Sequence, residues 1–324
     1  MNPKKVIVIT PVKNEDWILR PFLNACSEFA DHIVIGDHFS TDSSARIAAE
    51  FTKVDLIQAT SATFSERDRR NQLLAEARKF GDGNLIISLD ADEFFSEDIM
   101  GSHFIEQLKD HKPGTHFKFP FFNLASDKAS GWVTITDSIA FIDDGSRHEN
   151  SDFIHFPRLP KAPFATEIYF PDISVLHLQY VDNARMESKH SWYKLWERIN
   201  FPQKSAIEIF RRYNHMYAVK HSTILRAESN WLDNLQRVGI DLHKISKPRS
   251  NYWWDIEVNK MLEEHPERLF RYTLQNQSKI HKDFAAKIFF SYARGTQPIM
   301  ALGTYNPVRL ALRILDRLLG RLWI

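Results

Sequence analysis

Leu85-Ile86-Ile87-Ser88-Leu89-Asp90-Ala91-Asp92-Glu93 joins an apolar, partly β-branched run to three carboxylates separated by a single alanine. The run reads as a buried parallel strand, and parallel α/β sheets place their ligands outside the carboxyl ends of their strands. Carboxylates this close repel one another and resist burial, so a divalent cation or a cationic partner among them makes the arrangement favourable. Mg2+ or Mn2+ bridging to the phosphates of a bound nucleotide satisfies both Asp90 and Asp92, because hard cations prefer carboxylate and phosphate oxygens. The plainer alternative is a strand followed by an acidic helix start, with Asp92 or Glu93 facing the helix's amino end.

The elements before this strand repeat a simple unit. Val6-Ile7-Val8-Ile9 is a short apolar strand, closed by Thr10-Pro11, and residues 17 to 29 carry a helical apolar stripe. Ile33-Val34-Ile35 with a helix over 41 to 51, and Val54 to Ile57 with a helix over 65 to 79, lead to the acid-terminated strand. Such succession indicates a mainly parallel sheet covered by helices on both faces. It also brings Thr10-Pro11-Val12-Lys13-Asn14-Glu15 and Gly36-Asp37-His38-Phe39-Ser40-Thr41-Asp42 to the same sheet edge as Asp90 and Asp92. After Asp92 the pattern changes to a helix over 97 to 110 and aromatic extended runs at 115 to 122, 132 to 142 and 153 to 156. One more strand follows at 174 to 178, then a long helical stretch from 184 to 217 with a break at Pro202.

Composition narrows the classes. The 324 residues are 43% hydrophobic and 26% charged, a foldable chain and not a disordered one. The single Cys26 excludes an internal disulfide and a four-cysteine zinc site. Apolar stretches stay too short for a membrane span and the start lacks a signal-peptide core, so the chain is expected in the cytoplasm. The first turn carries no G-x-G-x-x-G, and neither a P-loop nor a G-x-S-x-G elbow is present. Residues 226 to 324 hold 16 Lys and Arg against 10 Asp and Glu, while residues 1 to 225 are net acidic. The acidic loops would repel a phosphate-rich polymer, so nucleic acid is not the expected partner despite the basic tail and Trp253-Trp254. The expected division is a domain over 1 to 225 and a basic, mainly helical extension over 226 to 324. The sequence assigns no oligomeric state.

Residues 4 to 95 resemble the family 2 glycosyltransferases of the nucleotide-sugar-binding GT-A fold. The resemblance rests on Thr10 to Glu15, Asp37 to Asp42, Arg70-Asn71 and Leu89-Asp90-Ala91-Asp92-Glu93, in that order and spacing. It implies an α/β fold with a GT-A-like nucleotide-binding domain, and transfer of a sugar from a nucleotide-sugar donor to a glycan or lipid-linked acceptor, with inversion. Thr10, Pro11, Glu15, Asp37, Arg70, Asp90 and Arg147 would then serve the nucleotide. Asp90 and Asp92 would be the family's D-x-D pair, Asp92 the closer ligand of Mn2+ or Mg2+, and His177 the third ligand, with His148 and His155 as alternatives. Where relatives often have Asp-Gly or Asn-Gly before the serine, this chain has His38-Phe39.

Inverting transfer needs a carboxylate that takes the acceptor's proton. Glu149, in Arg147-His148-Glu149, resembles a pair in bacterial relatives that extend lipopolysaccharide or related glycans, and Asp143, Asp144 and Glu93 compete for the role. Arg147, Arg158 and Lys161 are candidates to hold the diphosphate or an anionic acceptor. Trp192, Tyr193, Trp196 and Tyr213 either stack on sugars or pack between helices. A nucleotidyltransferase or another nucleotide-sugar enzyme with the same carboxylate-metal logic, or a non-catalytic scaffold of the same fold, is the alternative. At the end of the chain, Arg309, Arg313, Arg317 and Arg321 recur every fourth residue among leucines, so residues 306 to 324 read as an amphipathic helix. It would lie on an anionic membrane surface or pack internally.

Overall fold

The computed structural model describes residues 3–96, 103–135, 137–149, 154, 157–202, 204, 208–209, 212–219, 221–245 and 252–265. The expected helix over 306 to 324, His155 and most of the expected strand over 153 to 156 lie outside these. The strands are β1 (Val6–Val12), β2 (His32–Asp37), β3 (Val54–Gln58), β4 (Leu85–Ser88), β5 (Glu93–Phe95), β6 (Thr115–Lys118), β7 (Pro120–Leu124), β8 (Ser130–Ile135), β9 (Ala140–Ile142), β10 (Thr166–Tyr169), β11 (Val175–His177) and β12 (Leu225–Arg226). The α-helices are α1 (Leu19–Phe29), α2 (Ser44–Ala48), α3 (Glu66–Ala77), α4 (Phe104–Lys109), α5 (Asn183–Asn200), α6 (Ser229–Arg237) and α7 (Trp253–Glu264).

The main sheet has the order β10-β6-β9-β4-β1-β2-β3. Its neighbours pair in parallel except where β9 lies antiparallel between β4 and β6. The mainly parallel sheet expected from the repeated units is therefore present. Strand periodicity explains its two cores: Val6, Val8, Ile33, Ile35, Leu85 and Ile87 face α1, packing with Leu19, Phe22 and Leu23, whereas Ile7, Ile9, Val34 and Ile86 face Leu73, Leu74 and Ala77 of α3. A strand buried on both faces reads as a continuous apolar run, which is why β1, β2 and β4 are legible in sequence.

A second sheet, ordered β12-β8-β7-β11-β5, corrects the reading of the region after Asp92. The expected strand over 115 to 122 splits into β6 in the first sheet and β7 in the second, with Pro120 as the first residue of β7, where a missing N–H is tolerated. The expected strand over 132 to 142 likewise divides between β8 and β9. The second helix shrinks to Ser44–Ala48, and the helix after β11 stops at Asn200, two residues before Pro202.

The described chain divides into two compact units. The first takes the described residues up to Asp182 together with 225 to 245. The second takes 183 to 224 with the described residues from 252 onward. The division differs from the expected break at 225, because β12 pairs with β8 and Trp231 of α6 packs edge-on against Phe122 in the first unit. Among the described residues no helix is long and apolar enough to cross a membrane.

Candidate functional site

Because β1, β2 and β4 run parallel in register, their carboxyl ends deliver the first loop, the second loop and Asp90-Ala91-Asp92 to one edge. The two loops are joined by hydrogen bonds. Asn14 N–H donates to Ser40 Oγ at 2.9 Å, Asn14 Oδ1 accepts from Thr41 N–H at 2.7 Å, and Glu15 N–H donates to Ser44 Oγ at 2.8 Å. Across the same seam Asp16 N–H donates to Asp42 Oδ2 at 3.1 Å, and Ser43 N–H donates to Asp16 Oδ2 at 3.4 Å. Glu15 also turns the chain into α1, its carbonyl accepting from Ile18 and Leu19 and its carboxylate from Trp17 Nε1. Pro11 lies within β1 and does not close the strand, which continues to Val12 beside Asp37. Thr10 and Asp37 are buried at the strand ends, and Thr10 Oγ1 and Asp37 Oδ1 have no hydrogen-bond partner among the described residues. Buried polar groups are ordinarily satisfied, so these two atoms suit a ligand.

Below that edge, charges alternate in sign. Arg70, buried on α3, donates from Nε to Glu66 Oε1 at 2.8 Å, from Nη1 to Ser88 Oγ at 2.9 Å and from Nη2 to Asp90 Oδ1 at 3.3 Å. Arg158 Nη2 lies 3.5 Å from Asp90 Oδ2, and both its terminal nitrogens donate to the fully buried carboxylate of Glu93. Burial works against the charge of Arg158, but Asp90 and Glu93 more than compensate, and its pKa stands above the usual arginine value. Burial likewise opposes the charge of Glu66, yet Arg70 and Arg69 hold its carboxyl below the usual range.

Asp92 stands apart. It forms no ion pair with either guanidinium among the described residues. Its carboxylate instead lies 4.0 Å from His177 Nε2. Short β5, not expected from sequence, makes this pairing: it runs antiparallel to β11 with Glu93 opposite His177, and Leu178 N–H donates to Asp92 O at 2.8 Å. His177 Nδ1 is 2.9 Å from Asn123 Oδ1, while the Asn123 amide nitrogen donates to Trp132 O at 3.2 Å and Thr134 Oγ1 at 3.0 Å. That orientation of the amide places a proton on Nδ1 and turns Nε2 toward Asp92. A carboxylate and an imidazole nitrogen this close in a largely buried place could hold a cation between them, and that donor set suits Mn2+. Potential ligand atoms of Asp92, Glu93 and His177 lie within 4.8 Å of one another. Of the expected metal ligands, Asp92 and His177 thus come together, whereas Asp90 is occupied by Arg70 and Arg158. Asn123 escaped the sequence reading because an asparagine inside an aromatic strand carries no motif.

The chain from β9 to Glu149 runs along α3. Arg78 grips the Asp143 carboxylate at 2.9 and 2.8 Å and donates to Ser146 O at 2.6 Å. One end of Asn71 donates to His148 O and the other accepts from His148 N–H, both at 3.0 Å. Since β9 is antiparallel, Asp143 N–H meets Asn84 O at the start of β4, at the edge opposite Asp90. Asp144, exposed beside it and tied to Ser146, is therefore on the wrong edge for a general base. Glu93 is also corrected as a base, because its carboxylate is enclosed by Arg158 and the Asp90 N–H. Arg147 and Glu149 are exposed on the stretch that Asn71 turns back toward the site. His148 is buried, its pKa lowered to about 4 by burial, and its Nε2 lies 3.3 Å from Arg158 O, a packed histidine and not a ligand. Arg158 is committed to carboxylates, and Lys161 pairs with Glu167 at 2.7 Å. In the second unit Tyr193 stacks on Tyr213 with centroids 5.4 Å apart, and Trp192 meets Trp253 at 5.7 Å, so those aromatics pack on one another.

No curated protein matches the chain. Among solved structures, glucosyl-3-phosphoglycerate synthase from Mycobacterium tuberculosis, in complex with phosphoglyceric acid, is similar at 14% identity and a TM-score of 0.29, over 37% of this chain and 44% of that one. A second, described as a mycobacterial protein, is similar at 14% identity and a TM-score of 0.29, over 37% and 41% of the two chains. The similarity to these two spans less than half of their length. A 4-diphosphocytidyl-2C-methyl-D-erythritol synthase is similar at 14% identity and a TM-score of 0.32, over 43% of this chain and 75% of that one. The sequence over residues 7–128, which holds the joined loops, Arg70, Asp90 and Asp92, matches the model of Glycosyl transferase family 2, and the resemblance stated from those motifs is borne out over that span.

Proposed function

We propose that this chain transfers a sugar from a nucleotide-sugar donor to a hydroxyl of a glycan or lipid-linked acceptor, with inversion and with the help of a divalent cation. The observation that carries the reading is the facing pair of Asp92 and His177 Nε2 beside the joined loops. Asp92 and His177 would hold Mn2+ or Mg2+, which supplies positive charge to the diphosphate leaving group. Thr10 and Asp37 offer their unsatisfied oxygens to the nucleoside, while Arg70 and Arg158 fix Asp90 at the strand end. Exposed Arg147 would supply a cation to the diphosphate. Glu149 takes the proton from the acceptor hydroxyl as its oxygen bonds to the anomeric carbon. The bond from that carbon to the diphosphate breaks, and its electron pair leaves with the phosphate oxygen. A nucleotidyltransferase remains the second reading of the same acids, and the two differ in product. Incubation of the full chain with a panel of nucleotide sugars and Mn2+ should release nucleoside diphosphate from one of them. Release of pyrophosphate from a nucleoside triphosphate and a sugar phosphate instead would select the second reading.

A further inference from the structure

Phe39 occupies the tip of the second loop with φ of +56°, in the left-handed region that a bulky side chain enters only with strain. Phe39 is 44% exposed, so the protein's own packing covers it only in part. The turn is held from every side: Ser40 N–H donates to Asp37 Oδ2 at 3.2 Å, His38 N–H to Val12 O at 2.8 Å, and Asn14 ties down Ser40 and Thr41. Buried His38 meets the Phe39 ring edge-on, with centroids 5.8 Å apart. An aromatic face is thus presented on a rigid turn at the carboxyl edge of β2. Thr10 to Asp16, the opposing loop, contains no aromatic side chain.

We infer that Phe39 is the stacking platform for the donor's nucleobase, an inference that rests on the nucleotide-sugar reading. A nucleobase is the occupant that fits, because the turn carrying the ring also carries Asp37. The free acceptors Asp37 Oδ1 and Thr10 Oγ1 call for N–H groups on the edge of a flat ring. Stacking of this kind tolerates any base, so Phe39 sets affinity, and the acceptors on the strand ends choose among bases.

The test compares wild type with Phe39→Gly, Phe39→Ala and Phe39→Trp in the full chain with Mn2+, using uridine, cytidine, adenosine and guanosine diphosphates and inorganic pyrophosphate as probes. Gly and Ala variants should bind the preferred nucleoside diphosphate about tenfold more weakly or worse, the Trp variant should bind it as tightly as wild type, and pyrophosphate affinity should not change. Without ligand, Phe39→Gly should unfold at a higher temperature than wild type, since glycine relieves the strained φ, and Phe39→Ala should not. Unchanged nucleoside diphosphate affinity in both variants overturns the inference, as does an equal loss for pyrophosphate or a loss confined to intact nucleotide sugars. If wild type binds pyrophosphate as tightly as every nucleoside diphosphate, base stacking is overturned while the metal-phosphate site stands. If it binds neither, both readings fall.

Discussion

Replacing Arg158 by methionine tests the charge network, because methionine keeps an apolar stem over Phe121, whose ring centroid lies 5.4 Å from the guanidinium, and removes the charge. Glu93 is fully buried and both terminal nitrogens of Arg158 donate to it, so the variant strands a carboxylate without its partner. Loss of one member of a buried pair costs about 3–5 kcal/mol. For a unit of this size that is a fall of about 6–20 °C in the unfolding midpoint. Glu93→Gln made alone and together with Arg158→Met completes a double-mutant cycle, read by urea unfolding. The double variant should recover about 2 kcal/mol or more of the single-variant losses, since neither charge is then stranded. Additive losses, or an Arg158→Met protein within about 1 kcal/mol of wild type, would refute the buried pair as drawn.

Acid should destabilise the first unit through its histidines. Burial, before any charged neighbour, lowers His38 and His148 to about 4, against about 6.5 in the unfolded chain. Above about 6.5 both states leave them neutral; as pH falls toward 4 the unfolded state binds protons first, so stability should drop by roughly 3 kcal/mol per pH unit between those values. Denaturant unfolding from pH 7 to pH 4.5 measures this, and a flat profile would contradict it. Asn123→Leu removes the acceptor that fixes the His177 tautomer and should weaken Mn2+ affinity by about 10- to 100-fold, seen in direct metal titration. Glu149→Gln should keep donor affinity and slow transfer by about a hundredfold or more in single-turnover assays; a normal rate would place the base elsewhere.

Burial on both faces made the parallel half legible. An apolar run such as Leu85 to Leu89 has few alternatives, and the βα repeat then dictates where Asp90, Asp92 and the two loops open. The second sheet was less legible because its strands are short and change sheets within a few residues, at Phe119 and between Ile135 and Ala140. Side-chain partnerships carried almost no sequence signal. Asp144 and Glu149 stand in one acidic stretch, and only the antiparallel course of β9 and the grip of Asn71 and Arg78 separate them. Likewise Glu93 looked like a third catalytic acid until β5 turned it inward against Arg158. At His38-Phe39 no glycine supplies the left-handed backbone of the turn, and Phe39 adopts it itself.

If Asp92 and His177 hold the cation, nucleotide binding depends on it. Titration calorimetry of a nucleoside diphosphate into wild type and Asp92→Asn, with and without Mn2+, measures that dependence. Wild type should bind at least about tenfold more tightly with Mn2+. The variant should keep its unfolding midpoint within a few degrees and lose that Mn2+ dependence. Equal Mn2+-dependent affinity in the two proteins would mean that Asp92 does not hold the cation.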